Sequence, residues 1–382
     1  MYCIKNATVH DGKGKVFKSD ILIDDGKIKK IAKNIKCDCE CFDAKDKHVF
    51  PGFIDPMSSW GILGPGREIR GNAEDNDEHT DVITPEMNII YAFNGRGINI
   101  QQLGAFGITS VGVAPSSNNL FGGLMACFDV DGINPYKMCI KEKAALKACV
   151  SESVIKYWGS KNIMPQTHMG VFQMFNEQLR KASEYDGKKK DYKLEALKLV
   201  TDGKIPLFVV AKTPQEVHSV LHISKDYKYK LVLASGCGLQ DSEEELLKQK
   251  PAIISKMRSD DFDIDQKKGD EKFIYNLYKK GLLVGLATDV DGRMCTREDL
   301  LWNALEMYKV SKDAEACISM LTYNNAKILG IDDVTGSIEE GKRADIVIYS
   351  DHPIKKYDAV LELTLMKGKP IYKKGDAMKC FI

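Results

Sequence analysis

The chain has 382 residues, of which 43% are hydrophobic and 29% are charged, values close to those of globular proteins. This composition excludes a disordered, collagenous or coiled-coil protein. There are 55 Lys and Arg residues against 54 Asp and Glu residues, for a formal net charge of +1. Without an excess of one sign, we expect neither a nucleic-acid-binding nor a membrane-surface protein.

The start of the sequence and the use of cysteine predict a cytoplasmic protein. Residues 1–15 carry neither the apolar segment nor the cleavage site of a secretory signal. No apolar run approaches the roughly 20 residues that span a bilayer. The 11 cysteines are odd in number and scattered, as expected for reduced thiols. Cys37, Cys39 and Cys41 lack the C-x2-C spacing of zinc sites, so we expect a strand with thiols on one face.

The two ends of the chain have a similar, strand-rich pattern. Asp25-Gly26 lies between alternating apolar residues and predicts a hairpin, and a second turn is expected at Lys367-Gly368-Lys369. Two short all-β pieces are unstable alone. We therefore predict that residues 1–50 and 332–382 pair into one small β-sandwich.

The central segment, residues 51–331, alternates short apolar runs with longer amphipathic stretches. This alternation and its length predict a parallel (β/α)8 barrel of the TIM type. The first barrel strand is expected at Phe50–Ile54, and Lys141–Val150 is expected to be a helix. Further helices are predicted at Gly170–Tyr185, Pro214–Ile223, Asp270–Lys280, Asp299–Val310 and Ala314–Asn324.

Four motifs, in order along nearly the whole chain, resemble the metal-dependent amidohydrolase superfamily. Val49–Asp55 resembles its first barrel strand, usually written PGxIDxHxH, and Leu286–Asp289 resembles the end of its eighth. Thr322–Gly330 and Gly336–Val347 resemble the helix and return strand that follow. The resemblance implies hydrolysis of non-peptide C–N bonds, chiefly in cyclic amides.

The middle of the chain is most similar to the imidazolonepropionase-like branch of that superfamily. The similarity rests on Arg70–Ala73, Val82–Pro85, Ala105–Pro115 with Phe121–Gly123, and Met164–Gly170. It implies that Arg70 and His168 lie near the pocket, although His168 stands where the relatives carry arginine.

The family's metal ligands are largely replaced in this sequence. The resemblance implies an HxH pair after strand one, a bridging Lys or Glu, histidines after strands five and six, and an aspartate after strand eight. The HxH positions hold Met57 and Ser59, and the later histidine positions hold Val210, Lys212 and Ser235. Asp289 remains as the catalytic candidate, and either Lys147 or Glu152 fits the bridging position.

The chemistry of these replacements predicts a barrel without its metal. Valine has no lone pair, the methionine sulfur is too soft for Zn2+, and a serine hydroxyl is a poor ligand at neutral pH. Lys212 could pair with Asp289 in the vacated space. A rebuilt hard-cation site on the acidic run Glu74–His79 with Asp81 is a possible alternative to a plain exposed loop. We expect no cofactor.

Three functional hypotheses follow. The first is a catalytically impaired, metal-free protein that binds a small molecule. The second is an active C–N hydrolase with a rearranged site, in which Asp289 is the base and His168, Lys212 or Ser235 assists. The third is a barrel kept only as an oligomer scaffold. A homodimer is expected by analogy.

Overall fold

The computed structural model of the protein describes residues 1–63, 75–235, 237–256, 270–289 and 296–376. The described strands form two eight-stranded sheets. We call them the terminal sheet and the barrel sheet. Within the described ranges, every helix is too short or too polar to cross a bilayer.

The sixteen described strands are the following. They are β1 (Tyr2–His10), β2 (Val16–Asp24), β3 (Lys27–Ala32), β4 (Glu40–Asp43), β5 (His48–Pro51), β6 (Phe53–Ser58), β7 (Ile108–Val113), β8 (Phe121–Asp129), β9 (Cys139–Cys149), β10 (Leu207–Val210), β11 (Leu231–Ala234), β12 (Ala252–Ser255), β13 (Val284–Leu286), β14 (Ile346–Tyr349), β15 (Leu361–Met366) and β16 (Lys369–Lys373).

The described α-helices lie mostly between and after the barrel strands. They are α1 (Ile98–Gln101), α2 (Pro135–Met138), α3 (Glu152–Gly159), α4 (His168–Glu184), α5 (Tyr192–Thr201), α6 (Pro214–Ser224), α7 (Glu243–Gln249), α8 (Glu271–Lys279), α9 (Asp299–Ser311), α10 (Ala314–Leu321) and α11 (Tyr323–Leu329).

Strands from both chain ends are hydrogen-bonded into the terminal sheet. Its order is β16-β15-β14-β5-β1-β2-β3, and β4 pairs with β1 outside this path. The predicted hairpin turn is confirmed: Asp25 and Gly26 have φ values of +47° and +73°, as a two-residue turn of type I′ requires. The proposed division of the chain at residues 50 and 331 stays a prediction.

The predicted single strand Phe50–Ile54 is wrong, because Gly52 divides it between the two sheets. The Gly52 N–H donates to the Asp345 carbonyl at 2.8 Å, and the Phe53 N–H donates to the Gly107 carbonyl at 2.9 Å. A Cβ atom at Gly52 would lie 2.2 Å from the Thr109 hydroxyl oxygen. Only glycine therefore allows the chain to leave one sheet and enter the other here.

The barrel sheet runs in chain order from β6 to β13. It departs from a regular (β/α)8 barrel because β8 is antiparallel to both β7 and β9. Parallel pairing needs a crossover of about a dozen or more residues. The connections at residues 114–120 and 130–138 are shorter, so the chain turns back on itself twice.

The predicted helix Lys141–Val150 is also wrong, since residues 141–149 belong to β9. Ala, Leu, Lys and Glu favour helices, which explains the prediction. However, Ala144 to Cys149 are buried between two neighbouring strands of the barrel sheet. Packing in the sheet overrides the local preference.

Candidate functional site

The predicted site residues lie at the carboxyl ends of the barrel strands, where TIM-type barrels carry their active sites. We call this region the barrel mouth. Met57 is the next-to-last residue of β6, and Val210 is the last residue of β10. Ser59, Ser235 and Asp289 follow β6, β11 and β13, and all five residues are buried.

The floor of the barrel mouth is held by a buried carboxylate. Asp55 accepts hydrogen bonds from the Thr288 N–H at 3.1 Å, the Thr288 hydroxyl at 2.5 Å and the Trp60 indole N–H at 2.9 Å. Complete burial raises the pKa of Asp55, the bonds from Thr288 and Trp60 oppose that shift, and the charge of Asp289 adds to it, for a value of about 7. Asp55 and Asp289 are therefore electrostatically coupled neighbours.

The two candidates for the bridging position lie in different environments. Lys147 is 1% exposed within β9, and its Nζ donates to the Pro115 carbonyl at 2.6 Å. Glu152 is the first residue of α3, where its partly exposed carboxylate pairs with Lys156 at 2.7 Å. Lys147 is thus the more buried of the two candidates, and the assignment of the bridging position to either stays a prediction.

Lys147 influences a second buried carboxylate, that of Asp77. Burial raises the pKa of Asp77, while bonds from Asn118 and Ser116 and the charges of His79 and Lys147 oppose the shift. The Asn118 amide donates to Asp77 Oδ2 at 2.6 Å. The Lys147 ammonium group and the Asp77 carboxylate thus lie close enough to interact electrostatically.

The remaining polar groups at the strand ends are either engaged locally or lack a partner. The Ser235 hydroxyl donates to the Cys237 carbonyl at 2.6 Å and accepts from the Cys237 N–H. The Lys212 N–H donates to Glu216 Oε2 at 2.7 Å. The Ser59 hydroxyl has no hydrogen-bond partner among the described residues. The predicted pairing of Lys212 with Asp289 stays a prediction.

His168 belongs to a local network at the start of α6. Its Nε2 lies 3.0 Å from Glu216 Oε1, and its side chain is 40% exposed. Glu216 also accepts from the N–H groups of Lys212 and Thr213, which completes a capping box with Thr213. The Nε2 atom of His168 therefore helps to hold the start of α6 in place. Arg70 lies outside the described residues.

The acidic run after β6 divides between two environments. Asp75, Asp77 and Glu78 line a cavity of about 250 Å³ that also contacts Pro115 and Gly122. Asp81 instead forms an ion pair with Lys193 of α5. Glu74 lies outside the described residues. No group of three potential metal ligands is found within this run among the residues described.

A histidine cluster elsewhere in the molecule could not be foreseen from residue spacing. His10 Nδ1 lies 2.9 Å from Glu315 Oε2, and His10 Nε2 lies 2.9 Å from His48 Nδ1. His352 Nε2 lies 3.2 Å from Glu315 Oε1. This cluster joins the terminal sheet to α10. All seven histidines of the sequence fall within the described ranges, and none occupies a family ligand position at the barrel mouth.

Among the residues that the structure describes, those at the family's ligand positions do not form the donor set of a zinc centre. A catalytic zinc site needs three protein ligands, usually with imidazole among them. Here Val210 offers no donor, Met57 offers a thioether, and the Ser235 hydroxyl is engaged with Cys237. The Lys147 amine is hydrogen-bonded to a carbonyl. Asp289 alone is a suitable donor in this set.

Comparisons with known proteins show similarity to amidohydrolases. Residues 204–372 match the model of the amidohydrolase family. The structure is similar to that of an amidohydrolase from Thermotoga maritima MSB8, with a TM-score of 0.90 and 28% identity over 98% of this chain and 100% of that one.

Curated relatives match shorter stretches. An imidazolonepropionase of Thermoplasma acidophilum is 24% identical over 144 residues, which are 36% of this chain and 34% of the relative. A dihydroorotase of Thermoanaerobacter sp. is 55% identical over 53 residues, or 14% of this chain and 12% of the relative. The chain thus covers about a third or less of these relatives. Together with the full-length structural match, these similarities support an amidohydrolase-superfamily protein that resembles imidazolonepropionases.

Proposed function

We propose that this protein has lost metal-dependent hydrolysis of C–N bonds and binds a small polar molecule at the barrel mouth. The observation that carries the proposal is the set of groups at the strand ends. Met57, Ser59, Val210 and Ser235 stand where the family pattern has histidine. Without metal-bound hydroxide, hydrolysis at neutral pH loses its nucleophile.

The polar groups of the barrel mouth support a binding role. The hydroxyls of Ser59, Ser117 and Ser255 are buried and have no hydrogen-bond partner among the described residues. Ser255 ends β12 and Ser59 directly follows β6, while Ser117 lies in the connection after β7. Buried polar atoms normally have partners, so a bound molecule that hydrogen-bonds to them would be stabilised. Together with the Asp289 carboxylate, they suit a ligand that carries both N–H and C=O groups, such as a cyclic amide.

The alternative is an active hydrolase that uses Asp289 as its base without a metal. It requires a nucleophile or an acid close to that carboxylate. The Ser235 hydroxyl donates to the Cys237 carbonyl, and the Nε2 of His168 is bonded to Glu216. Neither contact supports an assembled catalytic pair, so binding is the better-supported function. We further propose that the protein is cytoplasmic and acts without nucleic acid or membrane. A homodimer stays a proposal.

Turnover assays test this proposal directly. Purified protein is incubated with imidazolonepropionate and with dihydroorotate, without added metal and then with Zn2+, Mn2+ or Fe2+. The wild type is expected to match Asp289→Ala in every condition, with no turnover above the buffer. Metal-stimulated hydrolysis that is abolished by Asp289→Ala would overturn the proposal. Calorimetric titration of cyclic amides that are not hydrolysed then measures binding.

A further inference from the structure

Four cysteines lie close together where β4 pairs with β1 of the terminal sheet. The short strand β4 runs parallel to β1, and its register places Cys41 directly beside Cys3. Cys37 and Cys39 lie just before β4. The Sγ atoms of Cys3, Cys37 and Cys41 all lie within 4.8 Å of one another, and those of Cys37 and Cys41 are 3.7 Å apart.

Cys39 lies beside this triad, next to Cys37 and Cys41. Its thiol interacts with the thiols of Cys37 and Cys41, and its backbone carbonyl accepts from Cys41 Sγ at 3.2 Å. Cys3 is buried and Cys41 is exposed, while Cys37 and Cys39 are half-buried. The group therefore extends from the sheet interior to the surface. A cation could enter from the solvent side.

We infer that Cys3, Cys37, Cys39 and Cys41 form a tetrathiolate site for a soft divalent cation, Zn2+ above all. In tetrahedral Zn2+ sites the Zn–S distance is about 2.3 Å, which places the sulfur atoms about 3.8 Å apart. The Cys37–Cys41 separation of 3.7 Å meets this requirement. The other separations within the triad exceed it by about 1 Å or less, a change that rotation of half-exposed side chains can supply.

A cation lies beside the thiols. Lys5 follows two residues after Cys3, and its charge opposes the burial that raises the pKa of the Cys3 thiol. The Lys5 ammonium is itself held by Asp20 at 3.2 Å and by the Ile35 carbonyl. Four thiolates with one Zn2+ carry a net negative charge. The Lys5 ammonium group partly offsets that charge.

The position of the site gives the metal a structural role. Of the four residues of β4, only Phe42 packs against the core of the terminal sheet. A metal held by β1 on one side and residues 37–41 on the other would fasten this weakly packed segment to the sheet. Small β-structures with little apolar core are commonly stabilised in this way.

Cobalt substitution tests the site on the full-length protein. The chain is reduced with a phosphine, freed of metal with a chelator and titrated with Co2+. The expected result is one equivalent of Co2+ with sulfur-to-cobalt charge-transfer bands and the intense visible bands of tetrahedral coordination, all displaced by Zn2+. Cys3→Ser and Cys41→Ser should each weaken Co2+ binding at least tenfold.

Two control variants locate the binding. Cys139→Ser removes a half-buried thiol of the barrel sheet, and Asp289→Ala removes the carboxylate of the barrel mouth. Both should keep the full cobalt spectrum, and circular dichroism checks that every variant is folded. The inference is overturned if the wild type gives no charge-transfer band, if the band survives in folded Cys41→Ser, or if reduced protein still holds a Cys37–Cys41 disulfide. The wild-type titration does not depend on whether any variant folds. The Asp289→Ala control distinguishes Co2+ bound at the thiols from Co2+ bound at the barrel mouth.

Discussion

Thr288 donates two hydrogen bonds to Asp55, one from its backbone N–H at 3.1 Å and one from its hydroxyl at 2.5 Å. Asp55 lies in β6, the first strand of the barrel sheet, and Thr288 follows β13, the last. The two residues thus close the barrel where no strand ladder joins its ends among the described residues. The carboxylate is committed to this closure, so its role is structural.

Asp55→Asn should change the pH dependence of stability. The raised pKa of Asp55, about 7, means that the folded chain holds a proton that the unfolded chain releases near pH 4. The contribution of Asp55 to the free energy of unfolding is fully present below pH 4. It falls by at most about 4 kcal/mol as the pH rises towards 7. Asparagine does not titrate, so the slope of unfolding free energy between pH 4 and 7 should flatten, as measured by urea unfolding. Equal slopes in both proteins would contradict the assignment.

Glu315→Gln should remove a stabilising contribution that, unlike that of Asp55, is lost as the pH falls. Burial disfavours the Glu315 carboxylate, but bonds from His10 and His352 outweigh burial and lower its pKa to about 2. The stabilisation is therefore present above the unfolded pKa, near 4.3, and is lost as the pH falls towards 2. At pH 7 the variant should lose about 1–3 kcal/mol, discounted because the carboxylate is partly exposed.

The control for this variant is Glu306→Gln, which breaks an exposed pair with Lys309. It should change the unfolding free energy by less than about 1 kcal/mol. If thermal unfolding at several pH values gives the same curve for Glu315→Gln and the wild type, the histidine cluster does not stabilise the fold.

Arg343→Met should be among the most destabilising single changes. The guanidinium lies 2.6 Å from Asp129 of β8 and 2.8 Å from Asp345, both almost fully buried. Its loss leaves buried charge without its partner, and only Lys367 continues to pair with Asp129. The expected cost is about 3–5 kcal/mol. Urea unfolding measures it against Lys309→Met, and a loss as small as that of the surface control would contradict the role.

Restoring the family ligands should create a metal site. In the combined variant Met57→His, Ser59→His, Val210→His and Ser235→His, four imidazoles stand at strand ends near Asp289. One additional equivalent of Zn2+ is expected, and it should disappear when Asp289→Ala is added. Metal analysis of the folded variants measures this gain. A variant that folds and gains no metal would show that these positions do not surround one centre.

Much of the architecture could be predicted because local chemistry determined it. The Asp25-Gly26 turn formed as expected, and α4, α6, α8 and α9 lie within two residues of their predicted ends. The errors arose where tertiary packing decided the outcome. Residues 141–149 have helix-favouring side chains and form a buried strand, and the break at Gly52 depends on its contact with Thr109.

The site was only partly accessible from the sequence. The strand-end positions followed from the motif at Val49–Asp55, whereas the different environments of Lys147 and Glu152 appear only in the structure. The sequence placed Cys37, Cys39 and Cys41 together but missed Cys3, which is distant in sequence and joins them only through the register of β1 and β4. The pairing of Asp55 with Thr288 spans 233 residues, and no local pattern records it.

The most direct test of the central claim is the metal content of the wild type and Asp289→Ala after incubation with Zn2+, measured by plasma mass spectrometry. Both proteins should contain the same amount, about one equivalent at the thiol cluster and none at the barrel mouth. A wild type that holds a further equivalent, lost in Asp289→Ala, would establish a metal centre at the barrel mouth and contradict the proposed loss of metal-dependent hydrolysis.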